Sequence, residues 1–136
     1  MDISSKAVSR ASARVVRFPH VRCEVRNLPS EVPPGPFDLI VASDVLYYWT
    51  RADVTTSARQ FADALAPQGV LVVAHYIPRW GTFLTGDEAH DIFRESTPLE
   101  PVVAERVEFG AGRPYRVDRY EPNGVGVPDP AERGRS

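Results

Sequence analysis

Phe37-Asp38-Leu39-Ile40-Val41-Ala42-Ser43-Asp44-Val45-Leu46-Tyr47-Tyr48 is the stretch from which the rest of the chain can be organised. Its first seven residues are almost continuously apolar, the pattern of a strand buried on both faces of a parallel sheet, and Ser43-Asp44 closes the run with polar groups. Five residues after Val45 the sequence Thr50-Arg51-Ala52-Asp53 has the spacing of a helix N-terminal cap. Val54, Ala58, Phe61, Ala62 and Leu65 then form one apolar stripe, which predicts an amphipathic helix ending at Ala66-Pro67-Gln68-Gly69. Val70-Leu71-Val72-Val73-Ala74 reads as a second strand buried on both faces. Strand, helix and strand in this order predict a parallel crossover unit.

Toward the carboxyl terminus, Thr85-Gly86-Asp87-Glu88 opens a second capped helix carrying Ala89, Ile92 and Phe93, and Pro98 and Pro101 follow it. Val102–Phe109 and Tyr115–Glu121 flank Gly110-Ala111-Gly112-Arg113-Pro114 and predict an antiparallel hairpin. Residues 122–136 turn to Pro, Gly and charge and are expected to be a disordered tail. Toward the amino terminus, Ser4 caps a predicted helix with Ala7, Val8, Ala11 and Val15 on one face, up to Phe18-Pro19. Val21–Val25 alternates as a half-buried strand would, and the proline-rich run from Pro29 to Pro36 is a loop. The expected organisation is one α/β domain over residues 1–121 followed by the tail.

Composition narrows the function classes. The chain has 136 residues, 43% hydrophobic and 25% charged, the profile of one globular domain. Its longest apolar runs are far below the ~18 residues of a membrane span, and Met1-Asp2-Ile3-Ser4-Ser5 lacks the order of a signal peptide, so a cytoplasmic protein without a membrane partner is expected. Cys23 is the single cysteine, which excludes an intrachain disulfide framework and a thiolate zinc site. His20, His75 and His90 are too scattered in sequence to suggest a metal site. Residues 1–36 carry six basic side chains (Lys6, Arg10, Arg14, Arg17, Arg22, Arg26) against three acids (Asp2, Glu24, Glu31). The arginines follow helix and strand faces without interleaved aromatics, so this segment reads as a solvated face and a nucleic-acid partner is not expected.

As a set, these motifs resemble the distal part of a class I S-adenosylmethionine-dependent methyltransferase, so the resemblance implies a Rossmann-like fold ending in an antiparallel hairpin. Asp2-Ile3-Ser4 is similar to the end of that family's second strand, where the acid holds the ribose hydroxyls and the apolar neighbour packs on adenine. Asn27-Leu28-Pro29 stands where the family has Asp followed by Leu-Pro, so Asn27 and Leu28 are assigned to the adenine end, with Asn27 accepting in place of Asp. Phe37–Tyr48 resembles the family's fourth strand and the turn after it, and Ala64-Leu65-Ala66-Pro67-Gln68-Gly69 resembles the turn into the fifth. Ser43 falls on the cofactor side of this pattern. Tyr47-Tyr48, Arg79-Trp80-Gly81, Gly86 and Glu88 look most like the branch containing the nodulation-type N-methyltransferases.

The resemblance implies S-adenosyl-L-methionine as cofactor and a small-molecule amine or hydroxyl as methyl acceptor. Asp44 and His75, each at the carboxyl end of a predicted strand, are the candidate catalytic residues. Each also has an ordinary reading, Asp44 as a carboxylate capping the next turn and His75 as a satisfied strand-end histidine. Tyr47, Tyr48 and Trp80 are the candidate walls of a substrate pocket, and Tyr47 and Tyr48 read equally as half-buried packing groups. The family places a Gly-rich turn about 20 residues before the acid at Asp2. The resemblance therefore implies a fold truncated at its amino terminus, through a downstream start, a remnant gene or a half-enzyme completed by a second chain. The contrasting reading is a non-catalytic α/β interaction module that pairs its exposed sheet edge with a partner.

Overall fold

The computed structural model describes residues 1–79, 81 and 83–124. They fall into two compact units, Met1–Pro34 and Gly35–Ser136. Trp80 and residues 125–136, which include most of the expected tail, lie outside the described residues.

In the first unit, helix α1 spans Ser5–Val15, and the Ser4 hydroxyl accepts from the Ala7 amide at 3.2 Å, satisfying one of the free donors of the first turn. Val8, Ala11 and Val15 form its half-buried face. The expected strand over Val21–Val25 is not formed. Only Val25 pairs, in an isolated parallel bridge to Asp2, with Asp2 N donating to Glu24 O at 3.2 Å and Arg26 N to Asp2 O at 3.0 Å. Alternation is not enough where only one residue finds a strand partner, and Val21 and Val25 remain exposed.

The second unit contains β1 (Phe37–Ser43), a 3-10 turn (Leu46–Tyr48), α2 (Arg51–Ala64), β2 (Leu65–Tyr76), α3 (Gly86–Ser96), β3 (Glu100–Phe109) and β4 (Arg113–Glu121). The sheet order is β1-β2-β4-β3, with β1 parallel to β2 and both other pairings antiparallel. The parallel strand-helix-strand unit and the terminal hairpin are thus both present. Both helix starts use the caps legible in the sequence. Thr50 accepts from Asp53 N, and Thr85 and Glu88 form a reciprocal capping box. The register of β1 on β2 jumps from Phe37↔Leu65 to Leu39↔Val70, so the Ala66–Gly69 turn survives as an irregularity inside β2.

The strands are buried on one face only, which corrects the double burial expected of Phe37–Ser43 and Val70–Ala74. Leu71, Val73 and His75 of β2 are buried, alternating with half-buried Val72, Ala74 and Tyr76. On β1, Ala42 is buried while Leu39 and Val41 are 59% and 58% exposed. The reason is layering. Helices α2 and α3 pack against each other and both reach β2, so the apolar run of β1 is covered from one side and occupies the sheet edge. The core between sheet and helices is built from Val54, Ala58 and Phe61 of α2, Ala89, Ile92 and Phe93 of α3, Leu46, and Tyr120 of β4.

Gly86 sets how closely α3 approaches the sheet. A Cβ there would lie 2.3 Å from the Tyr76 carbonyl oxygen, so only glycine allows α3 to begin directly against the end of β2. Among the described residues, no helix is long and apolar enough to cross a membrane.

This one-sided core makes a prediction about stability. Phe93→Ala, which empties a fully buried site beside Phe61 and Tyr120, is expected to cost about 3–5 kcal/mol in urea unfolding. Leu39→Ala on the open face is expected to cost less than about 1 kcal/mol. Equal costs would contradict the layering.

Candidate functional site

The carboxyl ends of β1 and β2 lie side by side because the two strands are parallel, and the chain leaves β1 there through Asp44. Asp44 has φ 52°, the left-handed region that a short polar side chain tolerates better than most. Its amide donates to Ala74 O at 2.9 Å, tying the bend to β2. Its carboxylate gathers three elements. Oδ1 accepts from the Tyr47 hydroxyl at 2.9 Å and from the Tyr76 amide at 3.2 Å, and Oδ2 accepts from the Tyr115 hydroxyl at 3.3 Å.

Around this carboxylate lies an open cavity of about 610 Å³, lined by Asp44, Tyr47, Tyr48, Tyr76, Arg113 and Tyr115. That volume suits a small organic molecule, and aromatic walls with few fixed polar groups are the usual make-up of such sites. Tyr47 stacks edge-on against Tyr48, and Tyr48 against Phe83. Burial, together with the hydrogen bond to Asp44 and its charge, pushes the Tyr47 hydroxyl above its ordinary pKa. Burial and the same carboxylate act likewise on Tyr115. Both hydroxyls are therefore donors at neutral pH, and among the described residues lining the cavity Asp44 is the one carboxylate.

His75 lies beneath this turn with no exposed surface. Its Nε2 accepts from the amides of Val45 at 3.1 Å and Leu46 at 3.0 Å, and its Nδ1 lies 3.1 Å from His90 Nε2. Burial first, and the neighbouring His90 second, push its pKa down to about 3 against the opposing pull of Asp118. Both ring nitrogens are engaged, which is the satisfied strand-end arrangement, and His75 is not among the residues lining the cavity.

The loop before α3 is held by Arg79, whose guanidinium reaches both Glu88 carboxylate oxygens at 2.9 Å and the Phe83 carbonyl at 2.9 Å. Hydrogen bonds from Thr85 and the charge of Arg79 keep the Glu88 carboxyl below its usual range, although its burial, slight as it is, acts the other way. Arg79 and Glu88, singled out in the sequence, are thus brought together. Trp80 lies outside the described residues.

In the first unit, Asp2, Ile3, Asn27 and Leu28 are grouped by the Asp2–Val25 bridge. Asp2 Oδ1 accepts from Ser4 N at 2.7 Å, and Ile3 is 69% exposed. The donor set suits the adenosine end of a nucleoside cofactor: a carboxylate at a strand-like pair, an exposed apolar side chain beside it and an exposed Asn amide two residues beyond the bridge. In the second unit Ser43 is exposed at the end of β1, adjacent in the chain to Asp44.

Tyr76, Arg113 and Tyr115 were not legible as site residues. The antiparallel seating of β4 on β2 pairs Tyr115 with Tyr76. The only local signal is the position of Tyr76 one residue past His75.

A family model described as a methyltransferase domain matches residues 1–71. Among solved structures, the chain is similar to a protein from Pseudomonas syringae assigned as a methyltransferase, with 28% identity and a TM-score of 0.69 over 88% of this chain and 69% of that one. It is also similar to the N-methyltransferase NodS of Bradyrhizobium japonicum in complex with S-adenosyl-L-homocysteine, with 25% identity and a TM-score of 0.77 over 90% of this chain and 64% of that one. The fold is shared with 1,6-didemethyltoxoflavin-N1-methyltransferase of Burkholderia thailandensis, at 17% identity and a TM-score of 0.65 over 82% and 56%. The chain thus spans between 56% and 69% of the length of these three. Among curated proteins, no sequence matches.

The buried His75 predicts acid sensitivity. Its folded pKa of about 3 lies below the ordinary 6.5, so below pH 6.5 the unfolded chain binds a proton that the folded chain refuses. The stability this represents is complete above pH 6.5 and is lost as pH falls toward 3, at up to about 1.4 kcal/mol per pH unit. Urea unfolding at neutral and mildly acid pH is expected to give this slope, and His75→Asn is expected to flatten it. An unchanged slope in the variant would contradict the burial of a neutral ring.

Proposed function

The chain belongs to the methyltransferase domain family, and on that premise we propose that it serves methyl transfer from S-adenosylmethionine to a small-molecule amine or hydroxyl, in the manner of the nodulation-type branch, in the cytoplasm. The observation that carries this reading is the carboxylate of Asp44 set among tyrosines in a cavity of small-molecule size.

When bound, S-adenosylmethionine supplies a methyl group already activated on a sulfonium. In the first unit, the residues assigned to holding its adenosine part are Asp2 for the ribose hydroxyls, Ile3 and Leu28 for the adenine faces and Asn27 for the adenine amino group; in the second unit, Ser43 keeps the cofactor assignment that the resemblance implies. The cavity is assigned to the acceptor. Tyr47 and Tyr48 form its aromatic wall with Tyr76 and Tyr115, and Trp80 keeps its assignment to the substrate side. Asp44 receives the N–H or O–H of the acceptor and takes its proton, while the tyrosine hydroxyls donate and keep that carboxylate oriented. His75 serves from below, holding the turn that carries Asp44 and Tyr47.

A second reading draws on β1. Its exposed Leu39 and Val41 at a sheet edge suit pairing with another polypeptide, which concentration-dependent association in sedimentation would support.

Calorimetric titration with S-adenosyl-L-homocysteine tests the enzyme reading. Saturable binding is expected, weakened about tenfold or more by Asp2→Ala through loss of a charge-assisted hydrogen bond. Binding unaffected by that substitution would contradict the assignment of Asp2.

A further inference from the structure

The buried contacts of His75 continue away from the cavity. His90 of α3 and Asp118 of β4 have no exposed surface, and neither lines the cavity. His90 Nε2 lies 3.1 Å from His75 Nδ1. His90 Nδ1 approaches Asp118 Oδ2 at 2.9 Å, off the ideal donor line. Asp118 also accepts from Arg116 Nε at 3.2 Å and from the Tyr120 hydroxyl at 3.3 Å, and a second Arg116 nitrogen lies 3.1 Å from it. Burial of Asp118 acts to raise its pKa, but hydrogen bonds from His90 and Arg116 outweigh it and hold the carboxyl below its usual range. It is an acceptor-only group at neutral pH.

The two ends of this row impose the same proton positions. At one end, two backbone N–H groups face His75 Nε2, which must then be bare, leaving the proton on Nδ1 to be donated to His90 Nε2. At the other end, the Asp118 carboxylate can only accept, so His90 carries its proton on Nδ1 and offers a bare Nε2 to His75. This arrangement turns each ring N–H toward an acceptor, whereas the opposite tautomers would set donor against donor at the Val45 and Leu46 amides and acceptor against acceptor at Asp118.

We propose that His90 and Asp118 are positioning residues of the acceptor cavity: they lock His75 in the tautomer whose Nε2 holds the Val45 and Leu46 amides, and so fix the turn that presents Asp44, Tyr47 and Tyr48. The inference rests on the reading of the cavity as the acceptor site for its functional meaning, and on the ring geometry for its substance. It also gives a reason for the close approach that Gly86 allows, since α3 carries His90 to the underside of β2.

The test is the protonation of the ring nitrogens in the full chain at neutral pH, read by long-range proton–nitrogen NMR correlations, together with deuterium exchange at the Val45 and Leu46 amides. Both histidines are expected to be protonated on Nδ1 and bare on Nε2. His90→Leu, which removes the acceptor for His75, is expected to speed exchange of the two amides about tenfold or more, whereas His90→Gln, which retains an amide oxygen, is expected to restore much of the protection. His75 protonated on Nε2 in the unsubstituted chain would overturn the proposal, and that measurement decides even where His90→Leu fails to fold. Unchanged amide exchange in a folded His90→Leu chain would overturn it as well. The readouts need neither methyl donor nor acceptor, so a failure here is distinct from a failure of the proposed function.

Discussion

The candidate site depends on one carboxylate at the end of one strand. Asp44 joins the 3-10 turn through Tyr47, β2 through the Tyr76 amide, and the hairpin through Tyr115, a residue 71 positions away in the chain. A charged acceptor serving three donors is held firmly, since charge-assisted hydrogen bonds are roughly twice as strong as neutral ones. The strained φ at this residue is tolerated because its amide and both carboxylate oxygens are engaged. The same contacts that hold the carboxylate also build the cavity, because the donors are the tyrosines that line it.

Beneath the cavity the fold uses polar groups where an apolar core would be the default. His75, His90 and Asp118 are buried in the layer between the sheet and α3, each with partners that satisfy most of its hydrogen-bonding capacity. Such a network specifies one arrangement more sharply than apolar packing does, because a misplaced ring leaves donors facing donors. Around it, Phe61, Phe93 and Tyr120 provide the non-directional burial that holds α2 and α3 to the sheet. At the rim, Arg106 and Arg116 reach Asp87 of α3, which ties the hairpin to the helix.

Much of the second unit was legible because its signals are local. The caps at Thr50 and Thr85, the apolar stripe of α2 and the glycine turn of the hairpin each depend on neighbours within a few residues. Ser43-Asp44 was legible as a strand end for the same reason. What could not be read was which face of an apolar strand is covered. Leu39 and Val41 look no different from core residues until the sheet order puts β1 at an edge. Val21–Val25 alternates correctly, but pairing is a property of two segments and only Val25 has a partner. The hairpin wall of the cavity, Arg113 and Tyr115, depends on β4 inserting beside β2, and His90 with Asp118 on α3 and β4 meeting beneath His75. Those are consequences of topology, which no window of sequence contains.

The role proposed for Asp44, receiving the methyl acceptor at its carboxylate, is open to direct test. The most direct measurement supplies S-adenosylmethionine and a mixed panel of primary amines and hydroxyl compounds to the chain and to Asp44→Asn, and follows methylated products by mass spectrometry. A methylated product is expected from the unsubstituted chain, with a loss of about a hundredfold or more in the variant, which keeps a hydrogen-bond acceptor in place but no longer takes a proton. A variant that methylates as fast as its parent would contradict it.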